Sequence, residues 1–489
     1  MTEERPEPTK TSPAGLHGWL QDRLDVDGLW ATLFARKIPL GVNWFYTLGF
    51  VSMALFVIQA ITGSVLAMYY APSPDHAYDS INYIMNDVPF GQVIRGIHHW
   101  TASAMILIVV LHLIVVFAMG AYKYPREATW VVGVFLLIIT FGFGFTGYLL
   151  PWDERAYWAT TVGTNMAGTV PVIGGMLVRL LRGGAELGVL TLSRFYAAHV
   201  LLLPLAIVAM IAIHVFMVIR QGVSVPPSLW DRWVAGKLDT SGRAAASRQI
   251  AAARAAYHEG YAHFKALGES FFPSNIIEDA VVTVVVVLIV IGFAIFAGVQ
   301  LDAQADPTNT AFVPRPEWYF LSLFQMLTYF PGSLEWIGVV VMPGLLILLM
   351  LVLPFIDRRP RRSPRYRPVA MAIGGMTLII IAALTIQADR TAPPASAQAP
   401  VSHLAAAEAA GQRLVQGQNC AACHVVAGKG GNVGPPLDGV AARRDATYIH
   451  SYIENPKAIN PDARMPAFIP PLSHEQVEDI TRYLLTLKQ

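Results

Sequence analysis

Seven uninterrupted apolar stretches, at 44–70, 97–120, 129–149, 195–219, 280–299, 336–356 and 368–387, divide this chain, and none of them contains a Lys or Arg. Each holds about 20 residues or more, and at ~1.5 Å rise per residue a helix of that length crosses the ~30 Å hydrocarbon layer of a bilayer. The pattern predicts an all-α membrane protein with seven transmembrane helices. The polar intervals carry a sidedness signal. The stretches 1–43, 121–128, 220–270 and 357–367 hold 20 Lys and Arg, against 6 in 71–96, 150–194 and 300–335. By the positive-inside rule the first set faces the cytoplasm, and an odd number of spans exports the C-terminus. Residues 1–43 carry Glu3, Glu4, Glu7, Asp22, Asp25 and Asp27; they read as an amphipathic cytoplasmic segment and not as a cleavable signal peptide.

Composition agrees and narrows the classes. With 54% hydrophobic and only 14% charged residues, the chain falls outside the range of soluble proteins, so a purely soluble enzyme is excluded. A net charge of +2 leaves no basic face for nucleic acid. The interval 221–276 is a cytoplasmic connection, Ala- and Arg-rich over 243–257, and reads as a surface helix without chemistry of its own. Past the last span, the Pro/Ala stretch within 389–402 is an extended tether. A small helical domain with long loops follows over 403–489, closed by an amphipathic segment at 473–487.

That domain holds both cysteines of the chain, in Cys420-Ala-Ala-Cys423-His424. In a C-x-x-C-H motif two thiols form thioethers to haem vinyl groups while the adjacent imidazole coordinates iron. A zinc half-site would need two more ligands at suitable spacing, and a thioredoxin-like pair a βαβ context; neither accompanies it. A second axial ligand is expected from Met465, the one Met after the motif; His450 and His474 are the competing donors, and a Met is otherwise an adaptable core residue.

Ionisable residues at membrane depth are rare and point to function. The second stretch holds His98, His99 and His112, the fourth His199 and His214. His98 to His112 is 14 residues and His199 to His214 is 15, so each pair lies near one helix face, about 21–22 Å apart along the axis. A lone membrane His is as easily an interhelical hydrogen-bonding group. Four at matched spacing on two helices predict two bis-histidine haems stacked across the membrane. Gly49 and Gly63, and Gly133 and Gly147, repeat the 14-residue period and predict a gap in the helix surface at each haem level, although glycine in membrane helices more often lets two helices approach.

Four motifs resemble the cytochrome b family of quinol:cytochrome c oxidoreductases, in the split form where a four-helix cytochrome b works with a three-helix subunit IV. They are Arg95-Gly-Ile-His-His-Trp-Thr-Ala-Ser103, Gly147-Tyr-Leu-Leu-Pro-Trp-Asp153, Thr191-Leu-Ser-Arg-Phe-Tyr-Ala-Ala-His199 and Pro316-Glu-Trp-Tyr-Phe-Leu321. The resemblance runs from about residue 16 to 387, so both subunits are fused here, with a class I cytochrome c appended. It implies that His98 and His199 ligate the exported-side haem b, His112 and His214 the cytoplasmic-side one, and that Arg95 and Arg194 sit near propionates. His99 stands where relatives often have Arg and is the weaker candidate. Glu317 is implied to take a proton from quinol, with Trp318, Tyr319 and Tyr148 lining the pocket; its bland alternative is an exposed loop carboxylate.

Two departures stand out. Phe45-Tyr-Thr47-Leu-Gly49 has Thr where chloroplast-type relatives carry a Cys for an extra covalent haem, so two haem b and one haem c are expected. Asp153-Glu154-Arg155 differs from the usual sequence after the third helix, with an effect on the pocket that the sequence does not give.

The resemblance implies a respiratory enzyme subunit in the inner membrane that oxidises quinol at the exported face. One electron goes through a Rieske iron-sulfur protein to the c haem, and the other crosses through two b haems to quinone, contributing to proton translocation. A Rieske cluster takes two Cys and two His; with both Cys committed, it comes from another chain. Other subunits, a downstream oxidase or soluble acceptor, membrane lipid and a homodimeric assembly are the further partners implied. Two rivals remain at this point. One is a transporter or channel with a redox-sensing tail, for which the broken helices and inverted repeat would be the signal. The other is a passive dihaem conduit for a dehydrogenase, against which the Pro-Glu-Trp-Tyr motif argues.

Overall fold

The computed structural model describes residues 16–237, 246–307, 309, 312, 315–391, 406–418, 420–431, 433–463, 465–470 and 472–487. It divides into two compact units, 1–392 and 393–489. Of the tether expected at 389–402, Asp389 and Arg390 still belong to the last membrane helix, and 392–402 lie outside the described residues.

The first unit contains seven helices long and apolar enough to cross a membrane: Trp44–Ala67, Gly91–Ala118, Glu127–Tyr148, Val189–Gln221, Phe271–Phe296, Ile337–Ile356 and Pro368–Arg390. The number agrees with the apolar pattern. The ends differ by up to nine residues, because helices continue past the hydrocarbon into amphipathic turns that a hydropathy window rejects. Their outward faces remain rich in exposed Leu, Ile, Val and Phe, such as Leu288, Ile289 and Ile379, as expected for surfaces solvated by lipid.

The first span packs along the second and the third along the fourth, with few contacts between the second and third. Two helix pairs therefore face each other across a slot. Its middle is closed by a plug of Val51, Leu55, Met105, Ile108 and Ile207, with Phe56 and Ile139 against it. Met105 lies seven residues from both His98 and His112, so the plug separates two levels of the slot.

The fourth span is not one regular helix. A π-turn covers Ala198–Leu202, between α-helical Val189–Ala197 and Leu203–Gln221. Pro204 explains the position: it has no N–H to give the carbonyl four residues back, and its ring crowds that carbonyl, so the ladder widens by one residue. His199 sits inside this turn. A second π-turn, Ile337–Val341, precedes Pro343 in the same way.

The fifth span lies on the first and second. Close approach is allowed at Gly96, where a Cβ would stand 3.1 Å from the Ala294 Cβ. At one end of the bundle Arg95 donates to the carbonyls of Val299 and Gln300 (3.0 and 3.3 Å), and Tyr78 Oη to that of Asp302 (3.0 Å). At the other end Lys123 Nζ binds Asp357 Oδ1 at 2.7 Å, and Arg362 reaches Ser224 Oγ at 2.8 Å and the Tyr124 carbonyl at 3.1 Å. Thus the loops 71–96, 150–194 and 300–335 gather at one end, and 121–128, 220–270 and 357–367 at the other.

The Ala/Arg-rich interval forms the helix Ala246–Ala266. It is less a surface helix than its composition predicts. Tyr257 and Phe264 are buried with Val225, Trp230 and Val234, because its few aromatic residues fall on one face.

The second unit is a small helical domain with a two-residue hairpin, Val425–Val426 with Lys429–Gly430. Helices Ala406–Gly417 and His474–Thr486 cross at Gly411, where a Cβ would stand 1.9 Å from the Asp479 carbonyl oxygen; any side chain there would force the helices apart. Ser473 caps the last helix, its Oγ accepting from Gln476 N while Gln476 Oε1 accepts from Ser473 N. The core is Val415, Ile449, Ile453, Leu472, Val477, Ile480, Tyr483 and Leu484.

Candidate functional site

The four paired histidines project into the slot at the two levels left by the plug. At one, the His98 and His199 rings lie 6.5 Å apart in an edge-on arrangement. His98 Nδ1 is 2.9 Å from Thr62 Oγ1, and His199 Nδ1 is 3.1 Å from Thr146 Oγ1. Those threonines occupy matching places, one residue before Gly63 and one before Gly147. With Nδ1 engaged, Nε2 is the atom left for iron, which is how ligating imidazoles are commonly oriented. At the other level His112 and His214 lie within electrostatic reach of each other.

The period of the glycines has a direct reading. A Cβ on Gly63 would stand 3.0 Å from His98 Cε1, on Gly147 2.6 Å from His199 Cε1, on Gly49 3.3 Å from His112 Cε1 and on Gly133 3.4 Å from His214 Cε1. Each imidazole lies in the notch that one glycine leaves, so the gap predicted for the porphyrin is occupied here by the ligand's own ring edge. Four such notches opposite four imidazoles fit two flat tetrapyrroles. They do not make a bare metal site; the described residues contain no cluster of three His, Cys, Asp or Glu able to hold an ion.

Arg95 and Arg194 both bond backbone carbonyls. Arg95 is buried, with its guanidinium on the Val299 and Gln300 carbonyls and 3.1 Å from Met85 Sδ. Arg194 gives one nitrogen to the carbonyls of Arg179 and Leu180 (2.8 and 2.6 Å). Arg194 thereby neutralises the last turn of the helix Gly174–Arg182, whose carbonyls otherwise lack partners, while Arg95 ties down the chain just past the fifth span. His99 packs edge-on against Trp100 at 5.3 Å.

The sequence reading missed a group at the opposite end. Arg36 Nε and Nη1, Arg126 Nη1 and Tyr46 Oη are buried without a partner. Arg126 otherwise donates to Gly222 O, Gln221 O, Val223 O and Tyr257 Oη. Buried orphan donors beside a cofactor slot mark places where an anionic group belongs. The residues come from separated loops, and no spacing in the sequence links them.

Glu317 stands at the start of the short turn Trp318–Phe320, its carbonyl accepting from Phe320 N at 2.9 Å. Tyr319 lies against the third span, where a Cβ on Gly144 would meet its ring at 3.1 Å, and 6.3 Å from Phe141. Phe320 packs on Phe141 and Phe145. Tyr148 Oη is 3.4 Å from the Arg315 carbonyl. Trp318 packs edge-on against Tyr319 and is itself half exposed. Burial pushes the Glu317 carboxyl above its usual range; Arg155 pulls it back, and Asp153 adds a smaller push upward. The carboxylate faces Tyr148 and Tyr319 electrostatically.

The departure Asp153-Glu154-Arg155 is now explained locally. Asp153 caps the helix Glu154–Gly168, its Oδ1 accepting from Ala156 N at 2.8 Å. Glu154 accepts from Asn309 Nδ2 at 2.8 Å. Arg155 pairs with Asp302 at 2.9 Å. The three residues clasp the 302–309 segment that leads to Glu317, and Arg155 is the cation nearest in effect to its carboxylate.

In the second unit Cys420 starts a 3-10 turn, and His424 N bonds the Cys420 carbonyl at 3.1 Å. His424 Nδ1 donates to the Pro435 carbonyl at 2.7 Å, again leaving Nε2 free. A Cβ on Gly434 would stand 2.3 Å from that ring. Cys420 and Met465 both pack against the one core cluster; Cys423 is exposed. The competing donors His450 and His474 both turn Nδ1 to Glu454 Oε1.

Comparison with known proteins follows the same division. Residues 33–222 match the family described as cytochrome b/b6/petB, 304–407 cytochrome b(C-terminal)/b6/petD, and 408–488 cytochrome c. The chain is similar to cytochrome b6 of Mastigocladus laminosus, 43% identical over 213 residues, which are 44% of this chain and 99% of that protein. Cytochrome b6 of Gloeobacter violaceus is 44% identical over 211 residues, 43% of this chain and 98% of that protein. Among solved structures, a chain of "Hyperthermophilic respiratory Complex III" aligns with TM-score 0.63 and 27% identity, covering 78% of this chain and 93% of that one.

Proposed function

We propose, from the premise that this chain belongs to the cytochrome b/b6 family and joins both parts of that family to a cytochrome c domain, that it is the cytochrome b and c subunit of a respiratory quinol:cytochrome c oxidoreductase. The chain is a multi-pass membrane protein of electron transport with haem b and haem c domains. The observation that carries the finer reading is the pairing of four slot histidines with four glycine notches at two levels, next to a loop that sets Glu317 beside Tyr148 and Tyr319.

In this reading His98 and His199 hold one haem b, His112 and His214 the other, and Cys420, Cys423, His424 and Met465 hold haem c. When bound, these groups supply the one-electron relays of the reaction: two across the membrane, one toward the acceptor. Quinol enters beside Trp318, Tyr319 and Tyr148 at the exported end and gives up two electrons and two protons. Glu317 accepts one of the protons, and burial fits it for the task by raising its affinity for H⁺. The orphan donors of Arg36, Arg126 and Tyr46 receive carboxylates at the cytoplasmic end, and Arg95 and Arg194 stand near the haem propionates. The Rieske cluster comes from a partner chain, as do the remaining subunits of a dimeric complex in the inner membrane.

A pyridine haemochrome assay on the purified protein is expected to give two haem b for each haem c. A ratio of 1:1 rejects the two-level arrangement, and a second covalent haem contradicts the reading of Thr47. Topology has its own test. Protease added to intact spheroplasts is expected to cut near residues 393–400 and release a haem-staining fragment of the c domain. Release only from inverted vesicles reverses the sidedness.

A further inference from the structure

At the cytoplasmic end a cleft of about 450 Å³, its open mouth included, lies between the loop after the second span, the end of the sixth span and the helix Ala246–Ala266. Its floor is saturated. Lys123 spends its ammonium on Asp357 and the carbonyls of Arg359 and Arg361. Arg362 lies over the Trp230 ring at 4.6 Å and bonds Ser224 and Tyr124. The rim is not saturated. Arg254, held 5.0 Å over the Tyr124 ring, and Arg358 and Arg359 are all exposed. Among the described residues none of these three pairs with a carboxylate. The lining has two acidic residues, Glu127 and Asp357, and Asp357 is already held by Lys123 and lies 3.8 Å from Arg367.

Separated from the two rim arginines by Asp357 alone, Phe355 and Ile356 are 49% and 73% exposed at the end of a span. Cationic groups at the membrane surface thus stand immediately above an apolar face at acyl-chain depth. We propose that this cleft binds the phosphodiester headgroup of an anionic membrane phospholipid, with Arg254, Arg358 and Arg359 on the phosphate and the acyl chains along Phe355 and Ile356. The positive-inside bias accounts for arginines on this side; it does not account for three of them converging on one cleft from two segments far apart in sequence. Free phosphate shares the anion chemistry but has no use for the apolar face. The lipid ties the helix Ala246–Ala266, which belongs to the connection between the two halves of the family, to the sixth span.

Thermal unfolding of the delipidated complex in detergent tests this. Mixed micelles of dioleoylphosphatidylglycerol are expected to raise the midpoint saturably, and more weakly in high salt. Dioleoylphosphatidylcholine micelles and sodium phosphate are expected to leave it unchanged. In R254Q/R358Q/R359Q the concentration of phosphatidylglycerol needed for half the shift is expected to rise at least tenfold, with the haem spectra unaltered. An equal response to phosphatidylcholine overturns the headgroup assignment, and an equal response to phosphate makes this a free-anion site. An unaltered response in the triple variant moves the lipid elsewhere. If that variant loses haem, the wild-type comparison of the three additives still decides.

Discussion

Replacing Glu317 with Gln is expected to lower quinol turnover at least about tenfold while leaving all haem spectra unchanged. The substitution keeps size and shape, and the backbone bond from Phe320 N to the Glu317 carbonyl does not involve the side chain, so the turn Trp318–Phe320 should persist. What disappears is a base. Among the described residues the carboxylate accepts no hydrogen bond; its environment is burial, opposed by the Arg155 charge. It is therefore uncommitted structurally and primed to take a proton. Well-placed proton transfer contributes about 10²–10⁴ in rate, and tenfold is a cautious floor beneath that range. Wild-type turnover in an assembled Gln variant would make the carboxylate structural, and loss of a haem would move the residue out of the quinol site.

The second large effect belongs to the slot. His98→Ala is expected to reduce the haem b content from two per chain to one and to leave haem c in place. Removal of the imidazole leaves Thr62 only its bonds to carbonyls of its own helix and opens the Gly63 notch, and the ring at His199, 6.5 Å away, loses its counterpart. His112→Ala is expected to remove the other haem b. Reduced-minus-oxidised spectra of the two variants should then report different b bands. An unchanged haem b content in either variant overturns the ligand assignment for that level.

Much of this architecture was open to sequence reasoning because membranes impose a length rule. A helix must be apolar for the width of the hydrocarbon, and a histidine within one is conspicuous. The 14-residue period was equally visible, since one straight helix converts sequence separation into height. What stayed hidden depends on contacts between distant segments. Arg95 gave no sign that its guanidinium also bonds the carbonyls of Val299 and Gln300, some 200 residues on, just past the fifth span. Arg126 gave no signal because its meaning lies in one unpartnered nitrogen. The Ala/Arg-rich helix read as exposed because alanine is indifferent to burial, and the decision fell to Tyr257 and Phe264. The clasp of residues 153–155 on 302–309 joins two loops that no periodicity connects.

On the proposed electron path, the hydrocarbon plug between the two histidine levels makes charge transfer sensitive to voltage. Met105, Leu55 and Ile207 keep water out of the stretch between them, so the potential across the bilayer falls largely within the same layer. The levels are about 21 Å apart by helical rise, against ~30 Å of hydrocarbon, which is roughly two thirds of the field. Moving one elementary charge through the full field is worth about 2.3 kcal/mol per 100 mV, so each charge passed between the levels does about 1.6 kcal/mol of work per 100 mV. The same packing that holds the four helices together thus places, on the proposed electron path, about two thirds of the membrane field between the two histidine levels.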